Sequence, residues 1–172
     1  MIYLSNFRTA GKDERAISIA AITPKWYKGA VRKDLAPKLS TLTSYKKGEI
    51  TPLEYIFEYT DVIYKHDLEK LVKELDGHVL LCYCSKNEMC HRTLLGLCLH
   101  KELGVEIEEV GGYSDNIAEV YAEKGYAAEL EADEKDLSDP KVAKILGDGK
   151  DLIGHWKELK AINRLDLFTI HT

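Results

Sequence analysis

The sequence predicts an α/β fold: three layers around a mostly parallel, Rossmann-like sheet, with a helical C-terminal extension. Three observations carry that prediction. His78 to Cys84 (His-Val-Leu-Leu-Cys-Tyr-Cys) is apolar on both faces, as a central parallel strand must be. His91 to Leu103 then carries Leu94, Leu95, Leu97, Cys98 and Leu99 and stops at Gly104, the pattern of a largely buried helix. Glu106 to Val110 reads as the next strand, so strand, helix and strand follow at the spacing of a right-handed crossover.

The remaining elements are read in chain order. Ile2 to Phe7 is expected as a short strand and Ala16 to Ile22 as a buried one, with a polar loop from Arg8 to Arg15 between them. Trp26-Tyr27-Lys28-Gly29 reads as a turn-rich loop, and Leu39 to Lys47 as a helix stopped by Gly48. Thr51-Pro52-Leu53-Glu54 is a helix start: Thr51 caps, Pro52 fits the first turn and Glu54 completes a capping box. Asp67 caps a short helix that ends near Leu75, before the turn Asp76-Gly77. The predicted organisation is a core domain over residues 1–110 and a mostly helical, acidic extension over 111–172 packed on it. Helices are expected there from Ser114 to Lys124, Asp139 to Leu146 and Asp151 to Arg164, with a last strand near Leu167 to Ile170.

Composition bounds the function. The 172 residues are 45% hydrophobic and 31% charged, which suits a globular domain with a real core. No apolar run reaches the roughly 18–20 residues of a membrane helix, and the first residues lack the basic and apolar regions of a signal peptide. The expectation is a cytoplasmic protein that does not engage a membrane. The net charge of −5 divides unevenly, with +6 over residues 1–50 and −11 over the rest. A basic front half suits an anionic ligand. Cys82, Cys84, Cys90 and Cys98 all fall in one short stretch. A disulfide scaffold spreads its cysteines, so this clustering points to nucleophile, redox or metal chemistry.

The segment from Cys82 to Arg92 holds the candidate site. Ligands of open α/β sheets bind beyond the carboxyl ends of the strands, and residues 84–91 occupy that position. The following helix offers unpaired N–H groups and the positive end of its dipole, to which Lys86 and Arg92 add formal charge. Arg92 can grip phosphate with paired hydrogen bonds. Cys90 and His91 are the candidate catalytic groups, since the helix start and flanking cations favour a thiolate. The tyrosine-phosphatase loop is excluded by spacing: it separates its cysteine and arginine by five residues, whereas seven lie between Cys84 and Arg92 and one between Cys90 and Arg92.

Zinc is the rival reading, with Cys82, Cys84, Cys90 and His91 as four legal ligands. Cys82 and Cys84 share a strand face, but the Cys-x2-Cys knuckle is absent and adjacent Cys90 and His91 chelate awkwardly. No metal and no other cofactor is therefore expected. A Cys84–Cys90 redox disulfide is a further alternative, and Cys98 reads as a core residue. Ser5, Asn6, Arg8 and Ser18, on or near the first two strands, are expected to approach the same cleft, and Trp26 to stack on a base or sugar.

Taken in order, Ile17-Ser18-Ile19, Pro24, Trp26, Leu35-Ala36-Pro37, Tyr45-Lys46-Lys47-Gly48, Tyr59, Leu80-Leu81-Cys82 and Cys90-His91-Arg92 resemble the family catalogued as domain of unknown function 488. The resemblance covers roughly residues 2–110. Cys-His-Arg after a Leu-Leu-Cys strand is its most specific part. It implies a compact α/β fold centred on that tripeptide and gives no established reaction. Members of that family often carry Glu where this chain has Cys84. The expected partner is a phosphate-bearing small molecule or a nucleic acid, handled by a thiol-dependent enzyme. A non-catalytic nucleotide- or protein-binding module and a zinc-stabilised interaction domain stand as alternatives.

Overall fold

A computed structural model describes residues 1–84, 90–110, 138–147 and 158–159, with the backbone alone described at Pro52 and Leu53. Among the described residues, five strands form one sheet: β1 (Ile2–Asn6), β2 (Ala16–Ser18), β3 (Ala30–Val31), β4 (Val79–Cys82) and β5 (Ile107–Glu109). Their order is β3-β2-β4-β1-β5, and every pairing is parallel. The helices are α1 (Phe7–Ala10), α2 (Leu39–Lys46), α3 (Pro52–Tyr64), α4 (Leu68–Leu75), α5 (His91–Leu103) and α6 (Pro140–Leu146). This is a three-layer, Rossmann-like α/β fold. Among the described residues, no helix is long and apolar enough to cross a membrane.

The side-chain alternation of the strands sorts the chain into two faces. Ile2 and Leu4 of β1, Ile17 of β2, Leu80 of β4 and Ile107 of β5 join the principal core with residues of α3, α4 and α5. Val79 and Leu81 of β4 and Ala16 of β2 face the other way, against Phe7 and Ala10 of α1 and Tyr27. All four residues of β4 are buried, which is why its sequence is apolar at every position. Helix α5 lies close on the sheet at Gly96, where a Cβ would stand 3.0 Å from Leu4 and 3.1 Å from Ile107. Its end is fixed by Gly104, whose left-handed φ of 67° lets its N–H reach the carbonyl of His100.

Local chemistry explains the helix starts. Thr51 accepts from the backbone N–H of Glu54 at the head of α3, and Asp67 accepts from that of Lys70 at the head of α4. The sequence reading departs from the structure in the first third of the chain. Residues 7–10, read as the end of the first strand at Phe7 and the start of a loop at Arg8, form α1, because Asn6 ends β1 by capping the backbone N–H of Thr9 at 2.9 Å. The expected strand from Ala16 to Ile22 is paired only through Ser18. Ile19 still donates to the carbonyl of Leu81 at 3.0 Å, but β4 ends at Cys82 and offers no longer ladder. β3 was not foreseen: two exposed residues carry no periodicity to read.

In the extension, the expected helix near Asp139 is present as α6, capped by Asp139 with Pro140 in its first turn. Val142, Leu146 and Leu159 all belong to the principal core. The helix expected from Ser114 to Lys124 and the strand near Leu167 to Ile170 lie outside the described residues. So does most of the one from Asp151 to Arg164, of which Glu158 and Leu159 are helical.

Candidate functional site

A cavity of about 680 Å³ opens at the carboxyl edge of the sheet, on its α2–α3–α5 side. Residues 20–22, leaving β2, form one wall. Leu39, Leu42, Thr43 and Lys46 of α2 form another, and Tyr45 and Tyr55 bring aromatic rings. Cys82, Tyr83 and Cys84 from the end of β4, with Cys90 and His91 at the start of α5, complete it. The volume is in the range of small-molecule sites, roughly 300–1,000 Å³.

The thiols of Cys82, Cys84 and Cys90 converge here, their sulfurs all within 4.8 Å of one another. The sulfurs of Cys82 and Cys90 are 3.3 Å apart. The local cause is simple. Cys82 has the parity of Leu80 and so faces α5, while Cys90 occupies the N-cap of that helix and its side chain makes no capping bond. The absence of a Cys-x2-Cys knuckle therefore does not keep the sulfurs apart, since strand end and helix start bring them together.

Arg92 anchors this cluster from beneath. It is fully buried, and its Nη1 donates to the sulfur of Cys82 at 2.9 Å and to the carbonyl of Cys84 at 2.7 Å. Its Nε donates to Glu109 Oε1 at 3.1 Å. Glu109 pairs in register with Leu4, so it faces α5 and is itself buried. Among the described residues, the anion that Arg92 meets is thus the protein's own carboxylate, that of Glu109.

The electrostatics of the thiols follow from crowding. Burial pushes the Cys90 thiol up, but hydrogen bonds from Cys82 and Cys84, with the charge of Arg92, outweigh it and hold the group well below the ordinary thiol range. Cys82 is pushed well up by burial and by its two sulfur neighbours. For Cys84 the bond with Cys82 acts downward, yet the bond with Cys90 and burial prevail and bring it up to about 12. The trio accommodates one negative charge and resists a second. Because Arg92 touches Cys82, that charge is best described as shared across the 3.3 Å contact between Cys82 and Cys90.

His91 is buried and its ring faces the carbonyl of Ile19, with Nε2 at 2.8 Å. A carbonyl only accepts, so Nε2 carries the proton, and burial lowers the pKa and keeps the ring neutral. The edge-to-face ring of Tyr59, 5.5 Å away, holds it in place, and Tyr59 itself donates to the carbonyl of Leu35.

Among the described residues, the other expected ligand residues do not line the cavity. Ser5 and Ser18 have the parity of the α1 face. The hydroxyl of Ser5 donates to the carbonyl of Val110 at 3.1 Å, and that of Ser18 is 2.7 Å from the hydroxyl of Thr23. Asn6 is the cap of α1, and Arg8 is an exposed residue of that helix. Trp26 is 53% exposed and packs edge-on against Phe7 and Tyr27 on the same side. Lys86 lies outside the described residues. Sequence reasoning missed the α2 wall, Tyr55 and Glu109. A signal for Glu109 existed, since it stands two residues beyond Ile107 on a strand whose alternate positions are buried. Compared with known proteins, the chain matches no family model, no curated protein and no solved structure.

Proposed function

We propose that this protein binds a phosphate-bearing ligand of nucleotide size in the cavity at the carboxyl edge of its sheet, and that the thiols on the cavity floor act on it. The observation that carries this reading is the cavity itself, of about 680 Å³ and bounded by the ends of β2 and β4 and by the first turn of α5. Such an edge is where open α/β sheets take ligands, and a helix start favours an anion. Lys46 on the rim supplies a positive charge, and Tyr45 and Tyr55 supply rings for a base or sugar. Kinship with domain of unknown function 488 is part of the proposal. The Leu80-Leu81-Cys82 and Cys90-His91-Arg92 segments that carry the resemblance supply Cys82, Cys90 and His91 to this cavity.

The test is calorimetry of the full chain against matched nucleosides, nucleoside mono-, di- and triphosphates and inorganic phosphate. A nucleotide should bind where its nucleoside does not. Lys46→Ala should weaken it roughly tenfold, the lower end for a hydrogen bond to a charged group, and leave the fold unchanged. Nucleosides binding as well as their nucleotides, or no binding across the panel, would overturn the reading.

A further inference from the structure

We propose that Cys82, Cys84 and Cys90 form a three-thiolate site for a thiophilic cation, Zn²⁺ in the first instance, with a fourth position open to the cavity. The inference deepens the reading of this cavity but rests on sulfur geometry, not on the identity of the ligand. Three sulfurs within 4.8 Å of one another can share one ion. A tetrahedral zinc with bonds of about 2.3 Å sets its sulfurs roughly 3.8 Å apart, between the 3.3 Å separating Cys82 and Cys90 and the 4.8 Å limit of the set.

The surroundings are those of a supported metal site. Arg92 donates to the sulfur of Cys82 and to the carbonyl of Cys84. It therefore orients one ligand directly and fixes the backbone that carries a second, the work of an outer shell. Charge favours the same arrangement. Three thiolates and a divalent cation sum to −1, and the neighbouring Arg92–Glu109 ion pair leaves that sum unchanged. The same three thiolates without the cation would crowd three negative charges into a buried space beside Glu109. All three cysteines line the cavity, so a ligand or water there can reach the remaining coordination position. Among the described residues the site has three protein ligands and a position facing the cavity, the arrangement of a reactive metal rather than a purely structural one.

The experiment uses the full chain, reduced, stripped with chelator and titrated anaerobically with Co²⁺ and then Zn²⁺. One equivalent of Co²⁺ should give thiolate-to-cobalt charge-transfer absorption and intense tetrahedral visible bands, which Zn²⁺ then abolishes. Cys84→Ser is the decisive variant because Cys84 is only half-buried, so the fold tolerates the change. It should lose the charge-transfer band or weaken Zn²⁺ at least tenfold while far-UV circular dichroism is unchanged. Cys98→Ala should retain one equivalent. Arg92→Lys should weaken the metal roughly 10–100-fold, as outer-shell changes do.

Several results would overturn the proposal. One is absence of the charge-transfer band in the folded wild-type chain. Another is full metal retention by Cys84→Ser. A third is a Cys82–Cys90 disulfide, seen by mass spectrometry, that survives the reducing preparation. Nucleotide binding by the metal-free chain is measured separately, so failure of the metal site and failure of the ligand reading remain distinct.

Discussion

Arg92 shows how the meaning of a residue depends on what the fold puts beside it. Read along the chain, a cation after Cys90-His91 at a helix start is an anion grip. In the fold, a helical side chain leans back toward the N-terminus, and that direction takes Arg92 to the carbonyl of Cys84, the sulfur of Cys82 and the carboxylate of Glu109. Breaking a buried ion pair from one side costs about 3–5 kcal/mol. Arg92→Ala should accordingly lower the melting temperature by roughly 10 °C, at 2–4 °C per kcal/mol for a chain of this size. Arg92→Met combined with Glu109→Leu should recover much of the loss, because no buried carboxylate is then left facing an absent cation. Urea denaturation of the two variants checks this. An unchanged midpoint for Arg92→Ala with lost nucleotide binding would return Arg92 to the ligand. Alternation placed Cys82 and Cys84 on one strand face, but β4 ends at Cys82, so the closeness of their sulfurs comes from the bend that follows and not from the expected strand through Cys84. Glu109 was not matched to Arg92, because their pairing depends on β5 lying beside β1, a long-range fact that no local pattern encodes.

At the scale of elements, what could be read was whatever local chemistry dictates. The apolar run of β4, the Thr51 and Asp67 caps and the Gly104 stop each specify their element without help from the rest of the chain. α1 and β3 could not be read, since one depends on a single asparagine cap and the other exists only by pairing with β2. The cavity wall contributed by α2 was equally hidden: Leu39 is 53% exposed and its helix packs on α3, with no signal of a ligand. This contrast gives a paired prediction. Leu80→Ala, at a fully buried position of the central strand, should cost about 2–5 kcal/mol of stability. Leu39→Ala should stay within about 0.5 kcal/mol while weakening a ligand held in the cavity. Equal effects on stability would show that α2 carries more of the core than its burial indicates.

For the whole molecule, the question is whether residues 1–110 stand alone. They contain the entire described sheet and the cavity, which suits a core domain with an appendage. Yet Val142 and Leu159 are fully buried and Leu146 nearly so, and all three belong to the principal core rather than to a separate one. Each buried aliphatic side chain contributes about 1.5–3 kcal/mol. Together they supply roughly 5–9 kcal/mol, an upper estimate because unfolded chains already bury some surface. A domain's whole stability is only about 5–15 kcal/mol, so this contribution decides whether the core holds. A chain ending at Val110 should therefore lose cooperative unfolding, bind an exposed-surface dye and be cleaved quickly by protease. Leu146→Ala in the full chain should keep the cooperative transition but shift it by about 2–5 kcal/mol. Should the fragment unfold at the same urea midpoint as the full chain, the extension is an independent appendage and its three core residues are dispensable. If the fragment fails while Leu146→Ala behaves as expected, sheet, cavity and extension form one cooperative unit, and the thiol cluster depends on a segment remote from it in sequence.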